Sequence, residues 1–331
     1  MLMLQTELLC LIGRECYLMS LLASVLGEYK SRSSVEARER LKARIQAVQT
    51  GRFGWLADIP CALLFGRDLR MLAGAYFTDK WSSHWYAQHY EDRFRQVRRR
   101  KLSILEIGIG GYDDPRMGGG SLRMWRTYFP NGRVYGIDIY EKSAHNRRRI
   151  KTFRGSQTDP LFLDSVVREI GKIDIIIDDG SHRNEDVLLT FQHLFPHLAD
   201  GGFYVVEDTQ TSYWPNHGGD SSGGNDPHTT MGYFKSLTDG LNWEEFRGDR
   251  SPSYLDLNIK SIAFYHNLIF ITKGSNREGS TREELQGDPC VKSRKRLQIE
   301  FEPSKPRDRD SQDPAKDLYS PQDPARLDKV H

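Results

Sequence analysis

The sequence predicts an α/β fold in which a mostly parallel β-sheet is covered by helices on both faces. Four short apolar runs indicate the strands: 103–111, 134–139, 173–180 and 201–208. Continuous apolar runs are typical of parallel strands that are buried on both faces. Parallel strands also require crossover helices, and helix-like segments lie between the runs, at 121–128, 160–170 and 184–197.

The chain divides by composition into three parts. We predict a helical, aromatic-rich N-terminal arm over 1–101, the sheet domain over 102–280 and a polar, disordered tail over 281–331. Segment 261–274, SIAFYHNLIFITKG, indicates two further strands of the sheet domain. They are joined at the His-Asn pair, which predicts an antiparallel hairpin.

Charge and cysteine content exclude several classes of protein. The 331-residue chain has 47 Lys and Arg against 45 Asp and Glu, so no global field attracts nucleic acid or acidic lipid. Its four cysteines are scattered and form no CxxC motif, which favours a reducing compartment, here expected to be the cytoplasm. Charges interrupt the leucine-rich segment 1–27, so no transmembrane segment is expected there. A buried or oligomer-forming helix and a membrane-surface helix both remain open for that segment.

The first apolar run ends in a glycine turn that predicts a cofactor site. Glu106 precedes Gly108 and Gly110, and glycines there let the backbone turn tightly and approach a ligand. The motif lacks the clean third glycine of a dinucleotide fingerprint, and Glu106 would repel a pyrophosphate but suits a cation. Asp138, at the end of the second run, can accept both hydroxyls of a ribose. Together these residues favour S-adenosylmethionine over NAD, with a tight turn that binds no ligand as the alternative.

Further polar residues complete the predicted cofactor site. Gln157 lies in GSQTDP (155–160), a segment expected to follow a strand, where a polar side chain can meet an adenine edge. Asp159 is a second candidate there, or it caps the helix that starts after it. Ser121, which opens a helix, and Asp178, which ends the third apolar run, are also assigned to the cofactor.

Carboxylates that follow two neighbouring runs predict a metal site. Asp178 and Asp179 end one run and Glu207 and Asp208 end the next, so the fold brings them close together. Successive strand residues point to opposite faces, so Asp178 and Asp179 have different roles. Three carboxylates without cysteine suit Mg²⁺ rather than zinc. His182 can take a proton from a substrate hydroxyl whose pKa the metal lowers, or it bonds the turn at a helix start.

Several motifs together resemble one family. They are YFTDKWSSHWYAQHYEDRF, LEIGIGGYDDP, SLRMWRTYFP, VYGIDI, IDDGSH, GGFYVVEDTQTSYWP and IKSIAFYHNLIFITKGSNREGS. Over about residues 65–280 the chain resembles the macrolide-sugar O-methyltransferases, which methylate deoxyhexoses of mycinamicin- and tylosin-type antibiotics. The resemblance implies a Rossmann-like class I methyltransferase sheet that uses S-adenosylmethionine and Mg²⁺. It makes Asp179, Glu207 and Asp208 the metal ligands and His182 the general base.

The resemblance also implies a homo-oligomer in which the arm contributes to a neighbouring site, and a small glycosylated acceptor. The arm is shorter than the N-terminal domain of that family, and the tail has no counterpart in it. The acceptor is therefore expected to contact the arm and the loop 209–227, which carries Tyr213, Trp214 and His217. The aromatic residues there either stack on a sugar or polyketide face or pack a lid onto the sheet.

Three other functions compete with a sugar O-methyltransferase. A nicotinamide oxidoreductase is disfavoured by Glu106, and a binding or assembly protein with a decayed pocket is disfavoured by the intact acidic positions. An RNA methyltransferase is disfavoured by the near-neutral charge. A methyltransferase with a non-sugar acceptor stays open.

Overall fold

The protein, as a computed structural model, is described over residues 55–246 and 251–280. Seven strands form one sheet: β1 (Ser103–Ile107), β2 (Arg133–Asp138), β3 (Ile150–Arg154), β4 (Ile173–Asp178), β5 (Leu198–Glu207), β6 (Ile259–Tyr265) and β7 (Leu268–Lys273). Their order is β3-β2-β1-β4-β5-β7-β6. Strands β1 to β5 are parallel, and β7 is antiparallel to β5 and β6. The predicted parallel sheet with an antiparallel C-terminal hairpin is confirmed.

Helices cover both faces of this sheet. They are α1 (Trp55–Phe65), α2 (Leu69–Ala75), α3 (Ala87–Phe94), α4 (Gly120–Tyr128), α5 (Pro160–Ile170), α6 (Asn184–Leu194), α7 (Thr230–Ser236) and α8 (Tyr254–Asn258). Helices α4, α5 and α6 match the three helix-like segments of the sequence. The side chain of Asp159 accepts hydrogen bonds from the backbone N–H groups of Leu161 and Phe162, so it caps α5.

Strand β3 precedes the segment 155–160 as expected, although its sequence IKTFR is not one of the four apolar runs. It lies at an edge of the sheet, and of its five side chains only Ile150 is buried. Lys151 pairs with Glu169 of α5 at 2.7 Å on the exposed side. A half-exposed edge strand does not need the continuous apolar run that predicts a central strand.

The segment before the sheet packs into the same core as the strands. Tyr90 and Phe94 of α3 are fully buried. The Tyr90 ring lies 5.0 Å from Trp125 of α4, and the Phe94 ring lies 6.0 Å from Phe270 of β7. This packing carries the residues around α3 to the end of the sheet where β1, β4 and β5 finish.

Some sequence predictions fall outside the described residues. They concern all of the arm before α1, including the segment 1–27, and the tail 281–331. The division into an arm, a sheet domain and a tail therefore stays a prediction. Within 55–246 and 251–280, none of the helices has the length and apolar character needed to span a membrane.

Candidate active site

The glycine turn after β1 packs directly against the loop after β4. Gly108 has a φ of +88°, and a Cβ atom there would lie 1.9 Å from the carbonyl oxygen of Asp179. Only glycine combines that left-handed backbone with such a close approach. Asp138, at the end of β2, accepts a hydrogen bond from the backbone N–H of Ile109 at 3.0 Å. The turn, Asp138 and Asp179 therefore meet at the carboxyl edge of the sheet, as the sequence predicts.

Glu106 lies beneath this turn and is fully buried. Its carboxylate accepts hydrogen bonds from the Ser121 hydroxyl at 2.7 Å and from Trp125 Nε1 at 3.1 Å. Lys80 Nζ lies 3.5 Å away. Burial raises the pKa of Glu106 to about 7 although Lys80 opposes the shift. Two predicted cofactor residues, Glu106 and Ser121, thus contact each other, and Gly110 lies in the turn above them with a φ of +75°.

Asp178 and Gln157 form a second contact between predicted cofactor residues. Asp178 accepts hydrogen bonds from the Tyr204 hydroxyl at 3.2 Å and from Gln157 Nε2 at 3.4 Å. Burial raises the pKa of Asp178 to about 7, against the effect of the Tyr204 hydrogen bond. Gln157 Oε1 accepts the backbone N–H of Ser181 at 2.8 Å. The structure brings these predicted residues together through contacts within the protein, and their cofactor roles stay predictions.

Three side chains that could bind a metal ion, here called the open group, lie close together beside the predicted cofactor residues. One ligand atom each from Asp179, His182 and Asp208 lies within 4.8 Å of the others. His182 Nε2 is 3.9 Å from Asp179 Oδ1 and 3.5 Å from Asp208 Oδ2. His182 and Asp208 both have left-handed backbones, with φ of 56° and 53°. Strained conformations of this kind cluster at functional sites.

The charge of Asp208 is favoured by its neighbours. Burial acts to raise its pKa, but His182 and the hydrogen bond from Tyr86 act in the opposite direction, and the net shift is downward. Asp208 thus stays a carboxylate, which is the form that binds a cation. The oxygen-rich set of Asp179 and Asp208, with His182 beside them, fits a hard divalent cation.

Glu207 does not face this open group. Both of its carboxylate oxygens lie 2.8 Å from Lys80 Nζ, and Oε1 also accepts the Tyr90 hydroxyl at 2.5 Å. Lys80 reaches Asp179 Oδ2 as well, at 2.6 Å. Burial alone would lower the pKa of Lys80, but Asp179 and Glu207 outweigh it and hold that pKa well above its usual value. The three expected metal ligands are therefore adjacent, with Glu207 bound to an internal ammonium group.

Sequence reasoning missed the donors on this side of the site. Lys80, Tyr86 and Tyr90 come from the segment 76–94 and reach carboxylates at the strand ends. The sequence patterns predict individual site residues in the sheet domain only, and they place the segment 76–94 in the arm. The signal that could have found Lys80 is its position as the single lysine in a segment rich in aromatic residues.

Comparisons with known proteins identify related chains. A family model described as "Methyltransferase domain" matches residues 116–209. Mycinamicin VI 2''-O-methyltransferase of Micromonospora griseorubida is 44% identical over 247 residues, which is 74% of this chain and 61% of that protein. Demethylmacrocin O-methyltransferase of Streptomyces fradiae is 49% identical over 215 residues, or 64% of this chain and 54% of the relative. The match thus spans less than two thirds of these relatives.

A solved structure extends the comparison to the fold. MycE methyltransferase from the mycinamycin biosynthetic pathway, in complex with Mg and SAH, has a TM-score of 0.64 and 44% identity. The match covers 70% of this chain and 60% of that one. The fold is that of a class I methyltransferase. The resemblance to macrolide-sugar O-methyltransferases expected from the motifs is confirmed.

Proposed function

We propose that the chain is an O-methyltransferase that uses S-adenosylmethionine and Mg²⁺ and acts on a hydroxyl of a sugar or glycosylated secondary metabolite. The observation that carries this proposal is the group of Asp179, His182 and Asp208, which lies beside the Gly108 turn. A methyl donor at the turn and an acceptor hydroxyl at the group would be neighbours. Holding two reactants in line supplies much of the rate of such a transfer.

The cofactors supply the chemistry that the side chains lack: S-adenosylmethionine carries the methyl group, and Mg²⁺ lowers the pKa of the acceptor hydroxyl. Asp179 and Asp208 would hold the cation. Glu207 is the third ligand that the family resemblance implies, although its carboxylate is paired with Lys80 and faces away from the open group. Asp138 would bind the ribose, and the remaining cofactor contacts are proposed for Glu106, Gly108, Gly110, Ser121, Gln157 and Asp178.

His182 is the proposed general base. Its imidazole Nε2 would accept the proton that the acceptor hydroxyl loses as the methyl group passes from the sulfonium to the hydroxyl oxygen, which leaves S-adenosylhomocysteine. The carboxylate of Asp208, 3.5 Å from Nε2, stabilises the resulting imidazolium. His182 has a left-handed backbone, and its ring lies near both aspartates, 3.9 Å from Asp179 Oδ1 and 3.5 Å from Asp208 Oδ2.

The acceptor is proposed to bind beside the segment that follows β5. Tyr213 and Trp214 are 39% and 46% exposed there, so their rings are available to stack on a sugar. A structure of MycE in complex with Mg, SAH and mycinamycin VI has 44% identity to this chain and a TM-score of 0.64. By analogy, we propose a glycosylated macrolide-type acceptor. A homo-oligomer and a cytoplasmic location are proposed from the family resemblance and the cysteine content.

The deciding experiment is a calorimetric titration of the purified chain with S-adenosylmethionine, S-adenosylhomocysteine and NAD, each with and without Mg²⁺. We expect the two adenosyl ligands to bind and NAD not to bind. If the folded protein bound neither adenosyl ligand, this result would contradict the proposed methyltransferase activity and favour a binding protein with a decayed pocket. Methyl transfer to glycosylated macrolides, compared with their aglycones, then tests the sugar acceptor.

A further inference from the structure

We propose that Tyr86 and Lys80 are positioning residues that decide which oxygen of Asp208 and of Asp179 faces His182. This inference rests on the proposed function, because it concerns the carboxylates that would hold Mg²⁺. Neither residue is expected to touch the reacting atoms. Both act through a carboxylate, and both come from the segment 76–94 rather than from the sheet.

Tyr86 holds one oxygen of Asp208. Its hydroxyl donates to Asp208 Oδ1 at 2.7 Å, and the other oxygen, Oδ2, is the one that lies 3.5 Å from His182 Nε2. Tyr86 is 2% exposed, and its ring stacks on His84 with a centroid distance of 4.8 Å. The hydroxyl is therefore fixed by packing, and so is the rotamer of the carboxylate that it holds.

Lys80 holds Asp179 in the same way. Its ammonium group donates to Asp179 Oδ2 at 2.6 Å, and Oδ1 is the oxygen nearest to His182, at 3.9 Å. Lys80 is fully buried, and its backbone carbonyl accepts the N–H of Ala87 at 3.0 Å. That bond closes the loop between Lys80 and Tyr86. One short segment thus fixes both donors relative to each other.

Among the residues that the structure describes, these two contacts each occupy one oxygen of an aspartate, and the other oxygen is the one nearest to His182. A carboxylate held at one oxygen loses rotational freedom before a cation arrives, so its free oxygen is already in place. Removing a hydrogen-bond partner of a metal-ligating group typically lowers the metal affinity by about 10–100-fold. Tyr86 offers the cleaner test, because removing its hydroxyl changes neither the net charge nor the ring packing.

The test is calorimetric titration of the full-length chain with Mg²⁺ alone. We expect Tyr86→Phe to raise the Mg²⁺ dissociation constant by about 10–100-fold and to leave the affinity for S-adenosylhomocysteine unchanged. Tyr128→Phe is the matched control: Tyr128 is also buried, and its hydroxyl donates to Glu91 at 3.1 Å instead of to a site carboxylate. The control should bind Mg²⁺ as the wild type does.

A double-mutant cycle separates positioning from a general structural effect. In an Asp208→Asn background, Tyr86→Phe should cause no further loss of Mg²⁺ affinity, because the group that it positions has already been altered. Equal losses in both backgrounds, or wild-type affinity in Tyr86→Phe, would overturn the inference and leave the proposed function standing. A wild-type chain that binds no Mg²⁺ would instead overturn the metal-dependent function itself.

Discussion

Two clusters of aspartate and histidine residues occur in the described part of the chain. They contain the same residue types but differ in burial and in the residues that surround them. One is the group of Asp179, His182 and Asp208 at the carboxyl edge of the sheet. The other consists of Asp164, His193 and His197, on α5, on α6 and just after α6. Both sets consist of residue types that can bind a metal ion, so residue type alone does not distinguish them.

Their surroundings separate the two clusters. The His193 Nε2 lies 2.9 Å from Asp164 Oδ1, and this aspartate side chain is 42% exposed. In the edge cluster the side chains of Asp179 and Asp208 are 18% and 15% exposed. Buried Lys80 donates a hydrogen bond to Asp179, and buried Tyr86 donates one to Asp208. The edge cluster therefore differs from the surface cluster in the buried donors and the left-handed backbone around its ligands, not in the kinds of ligand.

Exchanging the histidine of each cluster gives the largest expected contrast. His182→Gln should lower kcat for methyl transfer by about 10²–10⁴-fold, because a general base contributes about that much. His193→Gln, the same change in the surface cluster, should leave kcat unchanged. Steady-state kinetics with S-adenosylmethionine and a glycosylated acceptor measure both. Equal rates in the two variants would remove His182 from the proposed chemistry.

The internal cation behind the edge cluster gives the next largest effect. Lys80→Met leaves Asp179 and Glu207 without their buried counter-charge, and breaking a buried ion pair typically costs about 3–5 kcal/mol of unfolding free energy. Urea denaturation measures this loss.

Lys273→Met is the control for Lys80→Met. Lys273 is also buried, but its ammonium donates to the carbonyls of Phe195 and Pro196 at 3.3 and 2.8 Å. Removing hydrogen bonds to neutral acceptors should cost less, about 1–3 kcal/mol. If both variants lost the same stability, the ion pairs of Lys80 would be no stronger than ordinary hydrogen bonds.

The sequence contains enough information to find the acids at the carboxyl edge of the sheet. Asp179, Glu207 and Asp208 follow apolar runs, and the topology of a parallel sheet brings the ends of such runs to one edge. That inference needs no side-chain detail. The same reasoning found the glycine turn and Asp138, because they also end strands.

The donors to those acids could not be found in this way. Lys80 precedes Asp179 by 99 positions and Glu207 by 127, and Tyr86 precedes Asp208 by 122. Such pairs depend on how α3 packs on the sheet, and no local pattern encodes that packing. For the same reason, the sequence does not predict that Glu207 faces Lys80 rather than the open group.

The smallest expected effect concerns the surface cluster. Asp164→Asn removes the charge that faces His193, and an exposed pair of this kind contributes about 0–1 kcal/mol. The free energy of unfolding of this variant should therefore lie within about 1 kcal/mol of the wild-type value, and its Mg²⁺ affinity should be unchanged. Asp179→Asn, in contrast, should weaken Mg²⁺ binding. Urea denaturation and calorimetry on the two variants test this. A loss of Mg²⁺ binding in Asp164→Asn would mean that residue type, rather than the buried donors behind the ligands, defines where the cation binds.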